Sequence, residues 1–309
     1  MGIGVAAEAP RAPARTLGIG VALMAGGYFV FAMNDALGKY LVASFGVAQL
    51  VAIRSIGSFL ILGPMLLRKG ENPFRRVERP GLQLARVAIT TLDTGLFYAA
   101  CVWMPLADVM TFYMAGPIYT LLAARLLLGE RIGWRRWAAI AAGFVGVLVA
   151  LNPSVATLTG PALIALVGSV CYSLALVLNR MLAGTSGTAL GTFQTIGTLV
   201  AAAAFAVFDW RPLTGAGVFW MMLLGVVAIT AHLMIIQALK LAPVSVLAPF
   251  QYSLLLWGIV MGWAIFGDVP EWNVLVGAAV IVAAGLFIFR REQAVKPEVT
   301  AAELTANSP

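Results

Sequence analysis

The same pattern of residues occurs twice in this chain: residues 105–134 read PLADVMTFYMAGPIYTLLAARLLLGERIGW, and residues 243–272 read PVSVLAPFQYSLLLWGIVMGWAIFGDVPEW. Pro243 lies 138 residues after Pro105, and the copies align at this offset without a gap. The clearest matches are Pro105 with Pro243, Phe112 with Phe250, Gly129 with Gly267, Glu130 with Asp268 and Trp134 with Trp272. Each copy is an apolar span, a polar corner and the start of another apolar span. We therefore predict that the chain contains a duplicated unit.

The charges on the two corners predict how the copies are oriented. The first corner carries Arg131, Arg135 and Arg136, whereas the second carries Asp268 and Glu271 and no basic residue. Short loops rich in Lys and Arg remain on the cytoplasmic side of a membrane. The same corner should therefore face the cytoplasm in the first copy and the outside in the second. The second copy is predicted to be inverted.

The composition predicts an all-α integral membrane protein. Hydrophobic residues make up 61% of the 309 residues, and charged residues make up 11%. A soluble protein of this size does not need so much apolar material for its core. The formal net charge of +7 comes mostly from short loops between apolar spans. We interpret these bases as topology signals, and we expect no nucleic-acid partner.

Ten apolar spans are predicted, each near the length that a helix needs to cross a bilayer. They cover residues 17–38, 46–67, 84–103, 106–128, 134–151, 160–179, 189–208, 216–239, 244–266 and 272–289. Five spans per copy is an odd number, so duplicating the unit necessarily inverts the second copy. The sequence therefore predicts ten transmembrane helices arranged as two inverted five-helix repeats.

The predicted repeats occupy residues 17–151 and 160–290, and residues 152–159 link them on the periplasmic side. Residues 1–16 and 291–309 are predicted to be cytoplasmic tails. Placing both tails in the cytoplasm also places nearly all Lys and Arg residues there, including those of a predicted loop at 68–86. We expect the protein in the inner membrane. Inverted repeats with a site near the midplane are typical of secondary transporters.

Several motifs resemble the drug/metabolite transporter superfamily, and within it the EamA-type ten-helix permeases. The first copy has Gly116-Pro117 followed by Leu-Leu-Leu-Gly129-Glu130-Arg131, and the second has Ala248-Pro249 followed by Ile265-Phe266-Gly267-Asp268. An arginine inside the second span, Arg54, also resembles this family. The similarity covers roughly residues 17–290.

The resemblance implies inner-membrane transport of small organic metabolites, commonly efflux, through a cavity lined by spans one, three, four, six, eight and nine. Two features depart from the family pattern. Asp268 stands where Glu is usual, and Pro249 lies six positions earlier in its copy than Pro117 does. The run Pro249-Phe250-Gln251-Tyr252 resembles a branch that includes riboflavin and S-adenosylmethionine importers.

Charged residues inside the spans are candidates for function, because a charge in a bilayer is costly and rarely faces lipid. Asp35 in span one and Arg54 in span two lie at similar predicted depths, so they could pair. The pair could be a structural contact between helices, or it could bind substrate. Arg54 is thus a candidate structural or gating charge.

Asp93 in span three and His232 in span eight occupy almost equivalent depths in the inverted copies. Both should approach the middle of the membrane. A single histidine on an apolar helix commonly only hydrogen-bonds a neighbour. Substrate contact and proton coupling are the other interpretations, since both side chains can exchange a proton.

Aromatic and polar residues recur at helical spacing on several spans. Any one of them is typical of helix packing or of an interfacial belt. Together they predict a shared cavity that suits an amphipathic or planar solute. The predicted substrate-binding residues are Tyr28, Phe31, Asp35, Asp93, Tyr98, Tyr113, Tyr172, His232, Gln251 and Tyr252.

Other classes of function have little support in the sequence. One histidine, two distant cysteines and no acidic cluster with ligand spacing argue against a metal site. The His-Glu-x-x-His motif of metalloproteases and the Gly-x-Ser-x-Gly motif of hydrolases are both absent. We therefore expect neither an enzyme nor a cofactor. A membrane scaffold without transport is a remote alternative.

The sequence thus predicts a secondary transporter that moves a small organic metabolite by alternating access. Efflux of an amino-acid-like or amphipathic metabolite is favoured. The alternative is import of a vitamin or nucleoside-like metabolite such as riboflavin or S-adenosylmethionine. Protons are a candidate coupling ion, and a monomer and a homodimer are both compatible with the sequence.

Overall fold

The computed structural model describes residues 14–70, 72–75, 77–104, 106–130, 132–151 and 160–261, with some positions between 272 and 287. This part of the chain consists of helices joined by turns and short loops. These residues contain no β-strand, so the predicted all-α class is confirmed for them. The helices are α1 (Ala14–Val42), α2 (Val47–Lys69), α3 (Pro80–Trp103), α4 (Leu106–Tyr113), α5 (Gly116–Leu127), α6 (Trp134–Leu151), α7 (Gly160–Met181), α8 (Gly187–Ala206), α9 (Gly215–Leu241), α10 (Val244–Leu247) and α11 (Ser253–Met261), with a 3₁₀ turn at Ala248–Tyr252.

The first nine predicted spans overlap these helices, with α4 and α5 sharing span four and α10, the 3₁₀ turn and α11 sharing span nine. Five of the described helices are long and apolar enough to cross a membrane: Thr16–Val42, Val47–Lys69, Gly160–Met181, Gly187–Ala206 and Gly215–Leu241. The predicted linker, the second corner, the C-terminal tail, residues 1–13 of the N-terminal tail and half of span ten lie outside the described residues. Residues 14–16, which were predicted to belong to the tail, begin α1.

Polar caps fix where two of the long helices begin. The Ser186 hydroxyl accepts a hydrogen bond from the backbone N–H of Ala189 at 3.0 Å, which starts α8. The Thr214 hydroxyl does the same for Gly217 at 3.0 Å, which starts α9. The first N–H groups of a helix have no partner within the helix, so a side-chain oxygen at this position stabilises its start.

Spans four and nine are both interrupted. Span four breaks between α4 and α5, where Pro117 lies in the first turn of α5. Span nine instead tightens into the 3₁₀ turn, which has Pro249 near its start. Proline cannot donate the backbone hydrogen bond of a regular helix, and this favours an interruption close to it. The two interruptions differ in position and kind, and the two prolines lie at different positions in their copies.

The first polar corner links one copy of the repeated stretch to the other. Gly129 has φ 66°, a left-handed conformation that glycine adopts at little cost. The next residue, Glu130, accepts hydrogen bonds from the backbone N–H groups of Val244 at 3.2 Å and Ser245 at 3.1 Å. A carboxylate at a helix start pairs with both the free N–H groups and the helix dipole. The end of the first copy therefore caps the start of the second.

Helices from the two halves of the sequence pack tightly against each other. α1 packs on α9, α2 packs on α8 and α9, and α3 packs on α7. At the α2–α9 contact, a Cβ atom added to Gly225 would lie 1.9 Å from the backbone oxygen of Arg54. Only a residue without a side chain permits this approach.

One end of the bundle is rich in basic residues that hold neighbouring helices, and we call it the basic end. There the Lys69 ammonium donates to the Thr188 hydroxyl at 2.7 Å, which joins α2 to the start of α8. Arg180 on α7 donates to the carbonyl oxygens of Leu239 at 2.7 Å and Lys240 at 3.0 Å, at the end of α9.

The assignment of Arg86 to a loop was wrong. The predicted loop at 68–86 ends earlier, because α3 begins at Pro80. Arg86 lies inside α3 and is completely buried. Its guanidinium hydrogen-bonds to side chains of α7 and α8, which are far away in sequence. A charge pattern alone could not reveal these partners.

Candidate functional site

A chamber lies between the two halves of the sequence, and 14 described residues line it. Its walls come from α1, α3, α4, α7, α9, the 3₁₀ turn and α11, together with one side chain of α2. Nine predicted residues line it: Phe31, Asp35, Arg54, Asp93, Tyr98, Tyr113, Tyr172, His232 and Gln251. The six spans that the family resemblance implied all contribute, and α2 adds Arg54.

Asp35 and Arg54 are connected through two other side chains and form no direct ion pair. Arg54 Nη1 donates to the Tyr98 hydroxyl at 3.0 Å, and Asn34 Nδ2 lies 3.4 Å from the same oxygen. Asn34 Nδ2 also donates to Asp35 Oδ1 at 3.0 Å. The side chains of Asn34, Asp35 and Tyr98 are all at least 97% buried. Tyr98 and Asn34 thus hold the two charges in one fixed network.

Asp93 accepts a hydrogen bond from the Tyr113 hydroxyl at 2.9 Å, which joins α3 to α4. Tyr113 fits because α7 has a glycine opposite it. A Cβ atom on Gly168 would lie 2.5 Å from the Tyr113 oxygen. Tyr113 is the last residue of α4, so the interruption of span four lies beside this pair. The carboxylate is therefore held by one donor, and its other oxygen has no protein hydrogen bond among the described residues.

His232 reaches the chamber from α9 and stacks near Phe31, with 5.1 Å between the ring centres. Its Nδ1 lies 2.8 Å from the carbonyl oxygen of Ala228 on the same helix. A carbonyl oxygen only accepts, so this hydrogen bond requires the proton on Nδ1. The neutral ring then has Nε2 as an acceptor for a solute. From the sequence, a hydrogen bond to a neighbour and a contact with substrate were alternative roles for His232. In the structure His232 can have both, through Nδ1 and Nε2.

Aromatic rings form a continuous wall around the chamber. Phe31 lies 6.2 Å from Tyr172, Tyr172 lies 6.1 Å from Tyr113, and Tyr113 lies 5.3 Å from Phe97 between ring centres. Phe97 in turn lies 5.3 Å from Tyr98. Edge and tilted contacts of this kind hold rings in fixed orientations. Such a wall favours a flat apolar ring system as the ligand.

Two buried acceptor atoms of lining residues lack a partner in the described part of the chain. They are the side-chain oxygens of Asn34 and Gln251. Buried polar groups in proteins are nearly always hydrogen-bonded. Water or a solute with N–H or O–H groups would complete these two sites. Together with both carboxylates and His232, they make the chamber richer in acceptors than in donors.

The remaining two predicted residues, Tyr28 and Tyr252, do not line the chamber. Tyr28 lies just outside it and accepts a hydrogen bond from the Tyr172 hydroxyl at 3.4 Å. Tyr252 points to α6, where its hydroxyl donates to the carbonyl oxygen of Ile140 at 3.1 Å. Both are at most 1% exposed. Tyr28 can affect the chamber through Tyr172, whereas Tyr252 packs between helices.

The predicted binding set omitted five lining residues: Asn34, Thr94, Phe97, Met110 and Leu254. Thr94 and Phe97 share a helical face with Asp93, so spacing could have found them. Asn34 is adjacent to Asp35, but an amide carries no charge to mark it. Met110 and Leu254 look like ordinary core residues in the sequence.

Comparison with known proteins identifies the family. The model of the EamA-like transporter family matches residues 18–152. A riboflavin transporter of Rhizobium johnstonii is 31% identical over 242 residues, which are 76% of this chain and 78% of that protein. The chain belongs to the EamA-like transporter family. The family is part of the drug/metabolite transporter superfamily, so the resemblance is confirmed, and this EamA-type chain is a membrane transporter.

Other relatives of this EamA-type chain are named for different solutes. An S-adenosylmethionine uptake transporter of Rickettsia felis is 24% identical and covers 84% of this chain and 88% of its own. A pseudopaline exporter of Pseudomonas aeruginosa is 26% identical and covers 89% and 97%. A crystal structure of another protein superposes with a TM-score of 0.73 over 91% of this chain and 99% of its own, at 16% identity. That likeness shows a shared fold.

Proposed function

We propose that this chain is a secondary transporter of riboflavin, or of a metabolite with a similar flat ring and many hydrogen-bond donors. The observation that carries the proposal is the chamber, which combines an aromatic wall with buried acceptors that have no partner among the described residues. The relative with 31% identity is named for riboflavin, which supports the same solute. The flavin ring could stack on the wall while its N–H group and its ribityl hydroxyls donate to the acceptors.

S-adenosylmethionine is the second candidate. Two carboxylates and one guanidinium line the chamber, and this excess of acidic groups would favour a solute with positive charges. Its adenine ring could use the same aromatic wall. A relative named for uptake of this solute supports the candidate.

We also propose the ten-helix inverted repeat, with repeats at 17–151 and 160–290 joined by the linker at 152–159. The gapless repeat of the stretch and the reversed charge of its corners support this arrangement. Both tails would lie in the cytoplasm and the protein in the inner membrane. The two halves would then rock about the chamber in alternating access.

The direction of transport and the coupling ion stay predictions. The sequence favours efflux, while one relative is named for uptake and another for export. Asp35, Asp93 and His232 are the chamber groups that could carry a coupling proton. Oriented vesicles with and without an imposed proton gradient would measure both properties.

The substrate is tested with purified protein in liposomes, where entry of riboflavin is followed by its fluorescence. We expect riboflavin to enter protein-containing liposomes faster than empty ones, and a large excess of S-adenosylmethionine to leave this rate unchanged. A folded protein that moves labelled S-adenosylmethionine and not riboflavin would establish the second candidate. Movement of neither solute would contradict the substrate class.

A further inference from the structure

A second cavity opens at the basic end, between the α2–α3 loop and the α7–α8 turn. Glu78 and Gln83 are among its lining residues. Gln83 is only 4% exposed, yet neither atom of its amide has a hydrogen-bond partner in the described part of the chain. An amide buried in this way is normally satisfied. The cavity is therefore a polar site for water or a solute, and we call it the basic-end pocket.

Arg86 lies between the basic-end pocket and the chamber. Its Nη1 donates to Asn179 Oδ1 at 3.0 Å and to Gln194 Oε1 at 3.1 Å, and its Nη2 donates to the carbonyl oxygen of Leu190. These bonds join α3 to both α7 and α8. Hydrogen bonds from a charged donor are stronger than neutral ones. The guanidinium still has one buried donor, Nε, without a described partner.

The spacing along α3 and α7 places this contact on the line between the two cavities. On α3, Arg86 is seven residues from Asp93 in the chamber and three from Gln83 in the basic-end pocket. On α7, Asn179 is also seven residues from a chamber residue, Tyr172. Seven residues of helix correspond to about 10 Å. Both helices thus pass from the chamber to the Arg86 contact and then to the basic end.

A stripe of buried polar residues follows the same route. Gln83, Arg86, Thr90 and Thr94 lie at helical spacing on one face of α3, and each is at most 8% exposed. A purely structural clamp would need only Arg86 and its acceptors. Polar side chains before and after the clamp are expected where water or a solute passes. The stripe therefore indicates a path and not only a contact.

We propose that the basic-end pocket is the cytoplasmic vestibule of the transport path and that Arg86 is its gate residue. The solute passes between vestibule and chamber only after the guanidinium leaves Asn179 and Gln194. Water in the vestibule can solvate the released charge, which keeps the opening energetically accessible. This inference rests on the proposed transport function, but it does not depend on which solute is carried.

The gate is tested by cysteine labelling from the basic end, which requires no substrate. The two native cysteines are free and buried, so both are first replaced by alanine. Thr90→Cys then places one thiol beyond Arg86 on the side of the chamber. A charged, membrane-impermeant methanethiosulfonate reagent is applied to inside-out vesicles. We expect slow labelling of the Thr90→Cys thiol while Arg86 is present. After Arg86→Met the same thiol should be labelled at least roughly tenfold faster, since several charged hydrogen bonds are lost.

Two controls make the result specific. Arg180→Met removes another arginine that bridges helices at the basic end, next to Asn179 but bonded to α9. It should leave labelling at Thr90→Cys unchanged. Glu78→Cys should react quickly whether or not Arg86 is present, because Glu78 lines the vestibule and is exposed. If Arg86→Met does not give a monodisperse protein, Arg86→Lys replaces it, with a smaller increase expected.

Three outcomes would overturn the gate. They are unchanged labelling of Thr90→Cys without Arg86, an equal increase in Arg180→Met, and a Glu78→Cys thiol that is inaccessible from this side. Each outcome is separate from the liposome experiment with riboflavin. Failure of riboflavin transport with normal gated labelling would reject the substrate and retain the gate.

Discussion

At the scale of single residues, the pair of Asp93 and Tyr113 joins α3 to α4 inside the chamber, with 2.9 Å between the hydroxyl and the carboxylate. In the proposed function the Asp93 carboxylate accepts a hydrogen bond from the solute, while Tyr113 fixes the orientation of the carboxylate. The two residues should therefore act as one unit in binding.

We predict that Asp93→Asn and Tyr113→Phe each weaken riboflavin binding about tenfold, since the first removes the charge and the second the donor of a partly buried charge-assisted hydrogen bond. The double variant should bind riboflavin no worse than the single variant with the lower affinity. The reason is that the effects of two coupled residues on the binding free energy do not add. Quenching of flavin fluorescence by the purified protein measures the affinity. Tyr252→Phe is the control, as its hydroxyl bonds to Ile140 away from the chamber.

An additive double variant would show that Tyr113 and Asp93 contact the solute independently. A loss of affinity in Tyr252→Phe equal to that in Tyr113→Phe would show that the chamber described here is not the binding site.

Glu130 supports a prediction about stability, because it holds two backbone N–H groups at the start of α10. Glu130→Ala should lower the free energy of unfolding by about 1 to 2 kcal/mol, the range known for helix caps. Glu130→Gln keeps one acceptor oxygen and should lose less. Thermal unfolding in detergent should give the highest melting temperature for the unmodified protein, a lower one for Glu130→Gln and the lowest for Glu130→Ala. Equal melting temperatures would contradict the cap.

Single residues were the hardest part to predict from the sequence. Charge marked Asp35 and Asp93 as binding candidates and Arg54 as a structural or gating charge, because an isolated charge in a span needs a reason. The partners were not predictable, since Tyr98 and Asn34 lie on different helices and carry no charge. For Arg86 the same charge rule misled, because a base close to a loop looks like a topology signal until its buried acceptors are known.

At the scale of helices, close contact between α2 and α9 depends on Gly225. Gly225→Ala should destabilise the protein by about 1 to 3 kcal/mol, because its Cβ would overlap backbone that cannot rotate away. Gly63→Ala is a matched control on α2, where nothing lies within 4 Å of the added Cβ. It should be neutral or slightly stabilising, since alanine is the better helix former. Equal unfolding temperatures for the two variants would contradict the tight contact.

Helix positions were predictable because length and apolarity leave little choice inside a bilayer. α6 spans the predicted residues, and α7 begins where span six was predicted to begin. The form of the interruptions was not predictable. Pro117 and Pro249 lie at the interruptions of spans four and nine, but the break in one and the 3₁₀ turn in the other depend on packing with distant helices.

At the scale of the whole molecule, the inverted repeat predicts the topology. Single cysteines at positions 133 and 270, in the protein without native cysteines, should be labelled from opposite sides of the membrane. An impermeant thiol reagent applied to right-side-out and inside-out vesicles measures the side of each. Labelling of both positions from the same side would remove the basis for alternating access between inverted halves.

The contact between Glu130 and the start of α10 does not require that the two be joined in one polypeptide. Two separate half-length chains could form the same contact, each placing its carboxylate on the helix start of the other. On the inverted-repeat proposal, the present contact is what remains of a subunit interface from before the gene was fused. A functional transporter should then reassemble when residues 1–155 and 156–309 are expressed as two polypeptides in one cell.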